Sequence, residues 1–192
     1  MGPLWQKLAA TKPLSHNMTN TVVQNFAANV ALAIGASPIM SMNSAESADL
    51  AAIPKAALVL NMGTLVGDTL SHYKTALGAY NAAGRPTLLD PVGGGATAVR
   101  RKAIVELLDA GHFDVIKGNE AEIRTVWVQG AGNHTAAPEQ REEVKQHGVD
   151  SGAKALDETS AARLVRDLAL RERAVALMTG ETDFVSDGTR SK

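Results

Sequence analysis

Three short segments hold most of the side chains in this 192-residue sequence that could act on a ligand. The first, Leu89-Asp90-Pro91-Val92-Gly93-Gly94-Gly95-Ala96-Thr97, offers a carboxylate, three glycines and then a hydroxyl. Glycines let backbone N–H groups approach an anion closely, and a helix starting after Thr97 adds the positive end of its dipole. A phosphate or oxyanion suits this place, and so, equally, does a plain turn that uses glycine for positive φ. Its spacing matches neither G-x-x-x-x-G-K-[ST] nor G-x-G-x-x-G. The second segment is Ile116-Lys117-Gly118-Asn119-Glu120-Ala121-Glu122. A lysine at a strand end can pair with nucleotide phosphates. Asn119 can cap a helix whose first turn holds Glu120 and Glu122, where the dipole favours acids, and capping is the ordinary role for Glu120. Glu122 with Asp90 could instead hold Mg²⁺ through water, since magnesium favours one or two carboxylates plus substrate phosphates. The third is Met178-Thr179-Gly180-Glu181-Thr182-Asp183, where the Thr179 hydroxyl could touch a phosphate or form a hairpin turn, the commoner role.

A fourth polar run, Ser15-His16-Asn17-Met18-Thr19-Asn20, precedes a helical stripe. Capping explains one or two of these residues but not the whole density of donors. His16 could contact a small substrate or fill a polar niche. His72, His112, His134 and His147 have no ligand-like spacing and carry no metal role.

Alternating elements must position these segments. Helix periodicity runs over 19–34 (Val22, Val23, Phe26, Val30, Ile34), with Asn17 or Thr19 as N-cap and Gly35 as the stop. Residues 38–42 read as a short strand. A helix over 44–53 is capped by Asn43 or Ser44 and ended by Pro54. The run 56–62 is the clearest buried strand, nearly all apolar as a parallel strand covered on both faces should be. Helix 67–83, strand 87–90, helix 98–110, strand 113–116, helix 119–127, helix 160–170 and strands 174–178 and 183–186 follow. Between 129 and 157 the periodicity dissolves, which reads as a flexible surface excursion within one domain, 1–192. The predicted fold class is α/β: a three-layer, mostly parallel sheet with helices on both faces. Such sheets bind ligands at the carboxyl ends of their strands, which is where the polar segments fall.

Composition narrows the classes. The net charge is −1 and aromatics are 4% of residues, so neither phosphate neutralisation nor base stacking is provided for, and nucleic-acid and membrane partners are not expected. The sequence has no cysteine, which excludes disulfides, thiolate metal sites and a cysteine nucleophile within it. No apolar stretch approaches the roughly 20 residues of a membrane span, and a cytoplasmic location is expected.

Six segments in one order resemble the hydroxyethylthiazole kinase family: HNMTN with VVQNFAANVALAIGASPIM (15–40), AALVLNMGTL (56–65), LLDPVGGGAT (88–97), IKGNEAEI (116–123), GVDSG (148–152) and ALMTGETDFVSDGTR (176–190). The details look more fungal than bacterial. The resemblance implies a ribokinase-like fold, a homotrimer with active sites between subunits, and MgATP-dependent phosphorylation of 4-methyl-5-(2-hydroxyethyl)thiazole on its hydroxyl. By motif, Asn20 and the backbone of Met40 would contact the thiazole. Asp90 and Glu122 would organise Mg²⁺ and the phosphates. Lys117, where bacterial relatives often have arginine, would bind ATP phosphates, as would Thr179. A lysine supplies charge without the bidentate fork of an arginine.

Relatives continue past the last strand pair with a G-x-G-C segment that supplies the anion hole and the cysteine associated with catalysis. The present sequence ends at Lys192, so the expectation is that no catalytic residue of that segment is present, that the 192-residue chain does not turn over, and that the sheet lacks part of its helical cover. The alternative is a noncatalytic module that binds thiazole or nucleotide and joins full-length subunits. An unrelated nucleotide-binding α/β protein is a third reading, with the missing G-x-G-x-x-G counting against a dehydrogenase.

Overall fold

The computed structural model describes residues 2–130 and 156–192, which fall into two compact units, 1–88 and 89–192. The first unit contains α1 (Gly2–Thr11), β1 (Leu14–Met18), α2 (Gln24–Ala33), β2 (Ser37–Ile39), a 3₁₀ turn (Ser44–Glu46) leading into α3 (Ser47–Ala52), β3 (Ala57–Asn61) and α4 (Thr69–Ala82). Its strands are ordered β2-β1-β3, with β1 parallel to both neighbours. Leu58, Leu60 and Leu77 are fully buried with Met18, Tyr73 and Tyr80. Each such leucine contributes about 1.5–3 kcal/mol relative to exposure.

Local chemistry explains the boundaries. Asn43 caps the 3₁₀ turn by accepting the Ala45 N–H at 3.1 Å. Ile53 is extended (φ −65°, ψ 129°), as a residue before proline prefers, so α3 stops there. Gly35, at φ +89°, terminates α2: its N–H donates to Leu32 O at 3.0 Å and that of Ala36 to Ala31 O at 2.9 Å, a Schellman closure. A Cβ at Gly35 would also sit 2.9 Å from Ala9 Cα of α1.

Four elements of this unit depart from the sequence expectation: α1 has no counterpart among the expected elements, β2 ends at Ile39 rather than residue 42, and β1 and α2 also differ. Strand β1 falls on the polar run Leu14-Ser15-His16-Asn17-Met18, four of whose five residues are buried. Its polar side chains find partners inside the unit, so hydropathy does not reveal the strand. Helix α2 starts at Gln24 rather than at residue 19, because Asn20 Oδ1 accepts the N–H groups of Val22 (3.0 Å) and Val23 (3.1 Å) and holds the chain in a turn first.

Strand β4 (Thr87–Asp90) carries the chain into the second unit, followed by α5 (Ala98–Ala110), β5 (Val115–Asn119), α6 (Glu120–Gly130), α7 (Glu158–Glu172), β6 (Val175–Thr179) and β7 (Phe184–Ser186). The order here is β4-β5-β6-β7, with β5 parallel to β6 and β7 antiparallel to β6. Strand β5 lies later than expected, so Lys117 and Gly118 belong to it, opposite Leu177 and Met178. A strand glycine marks a close approach: a Cβ at Gly118 would lie 2.9 Å from Glu122 Cβ and 3.0 Å from its Oε2. Helix α6 runs on to Gly130, and Asp157 caps α7 through the Ser160 N–H at 3.0 Å. The rest of the excursion read over 129–157, with its GVDSG segment, lies outside the described residues.

Candidate active site

In the second unit, Glu122 is the best-defined acidic group, 4% exposed on the first turn of α6. Its Oε2 accepts the Asn119 N–H at 2.8 Å, and its Oε1 accepts the Gly93 N–H at 3.0 Å. In return the Glu122 N–H donates to Asn119 Oδ1 at 2.9 Å. This is a reciprocal capping box with asparagine at the cap. The capping role assigned to Glu120 therefore belongs to Glu122; Glu120 instead faces Arg124 at 3.5 Å and accepts the Leu156 N–H. Burial pushes the Glu122 carboxyl above the ordinary carboxylate range. The N–H donors of Asn119 and Gly93 act against that, Asp90 adds to it, and Lys117 opposes it. Asp90 and Lys117 thus lie close enough for Glu122 to feel both charges. Lys117 Nζ is 3.7 Å from Asp90 Oδ2, with the lysine side chain 36% exposed and so open to a ligand.

The glycine segment is more occupied than its sequence suggests. Gly93 has φ +64°. Its N–H serves Glu122, the Gly94 N–H donates to Pro91 O at 2.8 Å, and the Ala96 N–H donates to Gly93 O at 3.0 Å. Of the two readings left open for this segment, the described hydrogen bonds favour the turn. Thr97 caps α5 by accepting the Arg100 N–H at 3.2 Å. Arg100 and Arg101 reach back to Val92 O (2.9 Å) and Gly95 O (2.8 Å), so two guanidinium groups brace the loop. Neither arginine belongs to the segments singled out in the sequence; their place at the third and fourth positions of the helix after a glycine loop is the signal. The Thr179 hydroxyl donates to Gly118 O at 3.3 Å, and Gly180 N–H donates to Asp183 Oδ1 at 3.0 Å in the turn. To donate to a phosphate, Thr179 would have to release Gly118.

The first unit gathers the polar run. Asn20 spends its Oδ1 on Val22 and Val23 and donates one Nδ2–H to Asn61 Oδ1 at 2.9 Å. Asn61 Oδ1 also accepts the Gly63 N–H at 2.9 Å, and Asn61 O accepts the Tyr73 hydroxyl at 2.7 Å. Thr64 Oγ1 accepts the Thr21 N–H at 3.3 Å. Asn20 is therefore held by β3, and Thr21 beside it by the loop after β3. His16 is completely buried, its ring 5.7 Å from that of Tyr80, with Nε2 3.0 Å from Ser41 O. Of its two possible roles, it fills the polar niche. Met40 directly follows β2 and precedes Ser41. Helix α2 buries none of its residues, and Val22 and Phe26 are 88% and 73% exposed. Among the described residues no group of three or more His, Cys, Asp or Glu could hold a metal ion, and no helix is long and apolar enough to cross a membrane.

So the structure brings Asp90, Lys117 and Glu122 together in the second unit, with Thr179 beside them through Gly118, and Asn20 with Asn61 in the first. The sequence pattern of the hydroxyethylthiazole kinase family matches residues 5–192. The hydroxyethylthiazole kinase of Moorella thermoacetica is 41% identical over 96% of this chain and 63% of its own length. The thiamine biosynthetic bifunctional enzyme of Saccharomyces cerevisiae is 40% identical over 95% of this chain and 31% of its own. A solved hydroxyethylthiazole kinase protein from Pyrococcus horikoshii superposes with a TM-score of 0.79 at 33% identity, over 97% of this chain and 63% of that one. Phosphofructokinase-2 from Escherichia coli, 8% identical, shares the fold alone, with a TM-score of 0.53 over all of this chain and 65% of that one. The chain thus spans just under two thirds of the length of the thiazole kinases it matches. The architecture is the mostly parallel α/β fold of those kinases, and the chain belongs to the hydroxyethylthiazole kinase family.

Proposed function

We propose that the protein carrying this chain phosphorylates the hydroxyl of 4-methyl-5-(2-hydroxyethyl)thiazole with ATP, in thiamine biosynthesis. The observation that carries the reading is the cluster Asp90–Lys117–Glu122, in a chain of this family. Lys117 supplies a fixed positive charge to nucleotide phosphates, held off its own carboxylate partner by 3.7 Å and partly open to solvent. Asp90 keeps that ammonium oriented. Phosphoryl transfer has a loose transition state, so positioning and charge neutralisation do most of the work.

The donor set fits Mg²⁺, which takes hard oxygen ligands and keeps several of its waters. Both Glu122 oxygens already accept a backbone N–H, so Glu122 would act through a water while Asp90 faces the ion more directly. When bound, the ion supplies charge neutralisation across the phosphates. In the first unit, Asn20 spends one Nδ2–H on Asn61 among the described residues and would offer the other to a ligand acceptor, and the Met40 backbone follows β2, where the thiazole would sit.

A homotrimer is part of this reading. Helix α2 presents Phe26, Val30 and Leu32 outward without burying any residue, with Val22 exposed in the turn before it, and exposed apolar area of this kind marks an interaction surface. A cytoplasmic location completes it. Isothermal titration with the thiazole alcohol, and separately with MgATP, tests the reading. Saturable binding of both supports it, and absence of both removes it. The noncatalytic-module alternative is tested by the same titrations together with an assay for thiazole-dependent ADP release.

A further inference from the structure

Parallel pairing between β1 and β2 ends at His16↔Ile39. Beyond it the chain leaves the sheet through Met40, Ser41 and Met42, and the ladder no longer holds the backbone. At that point the His16 side chain takes over. Its Nε2 lies 3.0 Å from Ser41 O, which is purely an acceptor, so Nε2 carries the hydrogen and donates it. The other face of the same residue is held as well: Ser41 Oγ donates to Glu46 Oε2 at 2.6 Å and accepts the Asn43 N–H at 3.2 Å. Met40 therefore stands between two anchors, the last ladder pair at Ile39 and the doubly held Ser41.

The histidine itself has little room to move. It is fully buried, its ring packs against that of Tyr80 at 5.7 Å, and among the described residues Nδ1 has no hydrogen-bond partner. The Nε2–Ser41 bond is thus the ring's one described polar tie. Burial lowers the proton affinity of the imidazole, which keeps it in the neutral form this arrangement needs.

We infer that His16 is a positioning residue for the Met40 peptide, setting the direction of the backbone groups that meet the thiazole; this rests on the substrate reading above. A histidine that merely filled space would be replaced by another ring of similar size without effect on that peptide.

The test uses the whole 192-residue chain in three forms: wild type, His16→Phe, which keeps a ring against Tyr80 but removes the donor, and His16→Gln, whose amide nitrogen reaches about as far as Nε2. Amide hydrogen exchange at Met40, Met42 and Asn43 is followed by NMR, and thiazole alcohol and MgATP binding by calorimetry. Loss of one hydrogen bond of ordinary strength predicts roughly five- to tenfold faster exchange at these amides and roughly five- to tenfold weaker thiazole binding in His16→Phe, with MgATP affinity unchanged. His16→Gln restores both to near wild type. Equal exchange and equal thiazole affinity in the phenylalanine variant overturn the inference, as does parallel weakening of both ligands, or a glutamine variant no better than phenylalanine. If the wild type binds no thiazole, the substrate reading fails, and the exchange rates alone decide whether His16 positions the segment.

Discussion

Glu122→Gln exchanges one carboxylate oxygen for an NH₂ group and tests the logic of the second unit. The carboxylate accepts one backbone N–H on each oxygen, from Gly93 at 3.0 Å and Asn119 at 2.8 Å, in a site where the residue is 4% exposed. An amide offers one acceptor. Whichever way it turns, its NH₂ group faces one of those N–H groups, leaving a buried donor unmet and two donors opposed. An unsatisfied buried polar group costs about 1–3 kcal/mol, and the bond that survives loses its charge assistance. Relief from burying a charge, the same burial that pushes the carboxyl upward, works in the other direction. The N–H left facing an NH₂ group is a penalty that relief does not remove, so a net loss of about 1–3 kcal/mol is expected, or a melting midpoint lowered by roughly 2–12 °C for a chain of this size. Thermal unfolding at neutral pH, followed by circular dichroism, measures it. Amide exchange at Gly93 and Asn119 should accelerate in the same variant. A variant as stable as wild type, with those two amides unchanged, would refute the capping box as the element that joins the glycine loop to α6.

Other consequences follow from the same contacts. Gly63→Ala would set a Cβ 2.7 Å from Asn20 Cβ and 2.9 Å from its Nδ2; stability should fall by about 1–3 kcal/mol, and thiazole binding should weaken more than MgATP binding in parallel titrations. Arg171→Ala removes donors to Trp127 O (2.6 Å) and Val126 O (3.0 Å) and a guanidinium 4.6 Å over the Trp127 ring; a loss of about 1–3 kcal/mol in chemical denaturation with a red-shifted tryptophan emission is expected. His16 is held below its ordinary value of 6.5 by burial. The unfolded chain takes up that proton first as pH falls, so its contribution is intact above about 6.5 and declines below it; denaturation midpoints should show this decline, and His16→Gln should lack that component.

The sequence made the second unit legible because its chemistry sits in short contiguous segments. Asp90, Lys117 and Glu122 were picked out at strand ends, and the structure brings them together. Residue types could not say which acid caps α6, because the choice depends on the reach of a side chain over Gly118, whose missing Cβ lets Glu122 fold back. The inward hydrogen bonds of Gly93, Gly94 and Ala96 were equally hidden, since a glycine run reads the same whether its N–H groups face a ligand or the protein. In the first unit, β1 escaped hydropathy because its buried residues are polar. His16 and Asn17 are buried with hydrogen bonds, to Ser41 O for the first and to Ser15 for the second, that no periodicity records. Gly35 and Pro54, by contrast, announce their elements' ends through backbone geometry alone.

The most direct test of the account is a titration of the chain with ATP in the presence and absence of Mg²⁺, comparing wild type with Lys117→Met. The account predicts saturable, magnesium-dependent binding in the wild type and a loss of about tenfold or more in the variant, the scale of a lost charge-assisted phosphate contact. Wild-type binding that ignores both magnesium and the loss of Lys117, or no nucleotide binding by a folded chain, would contradict it.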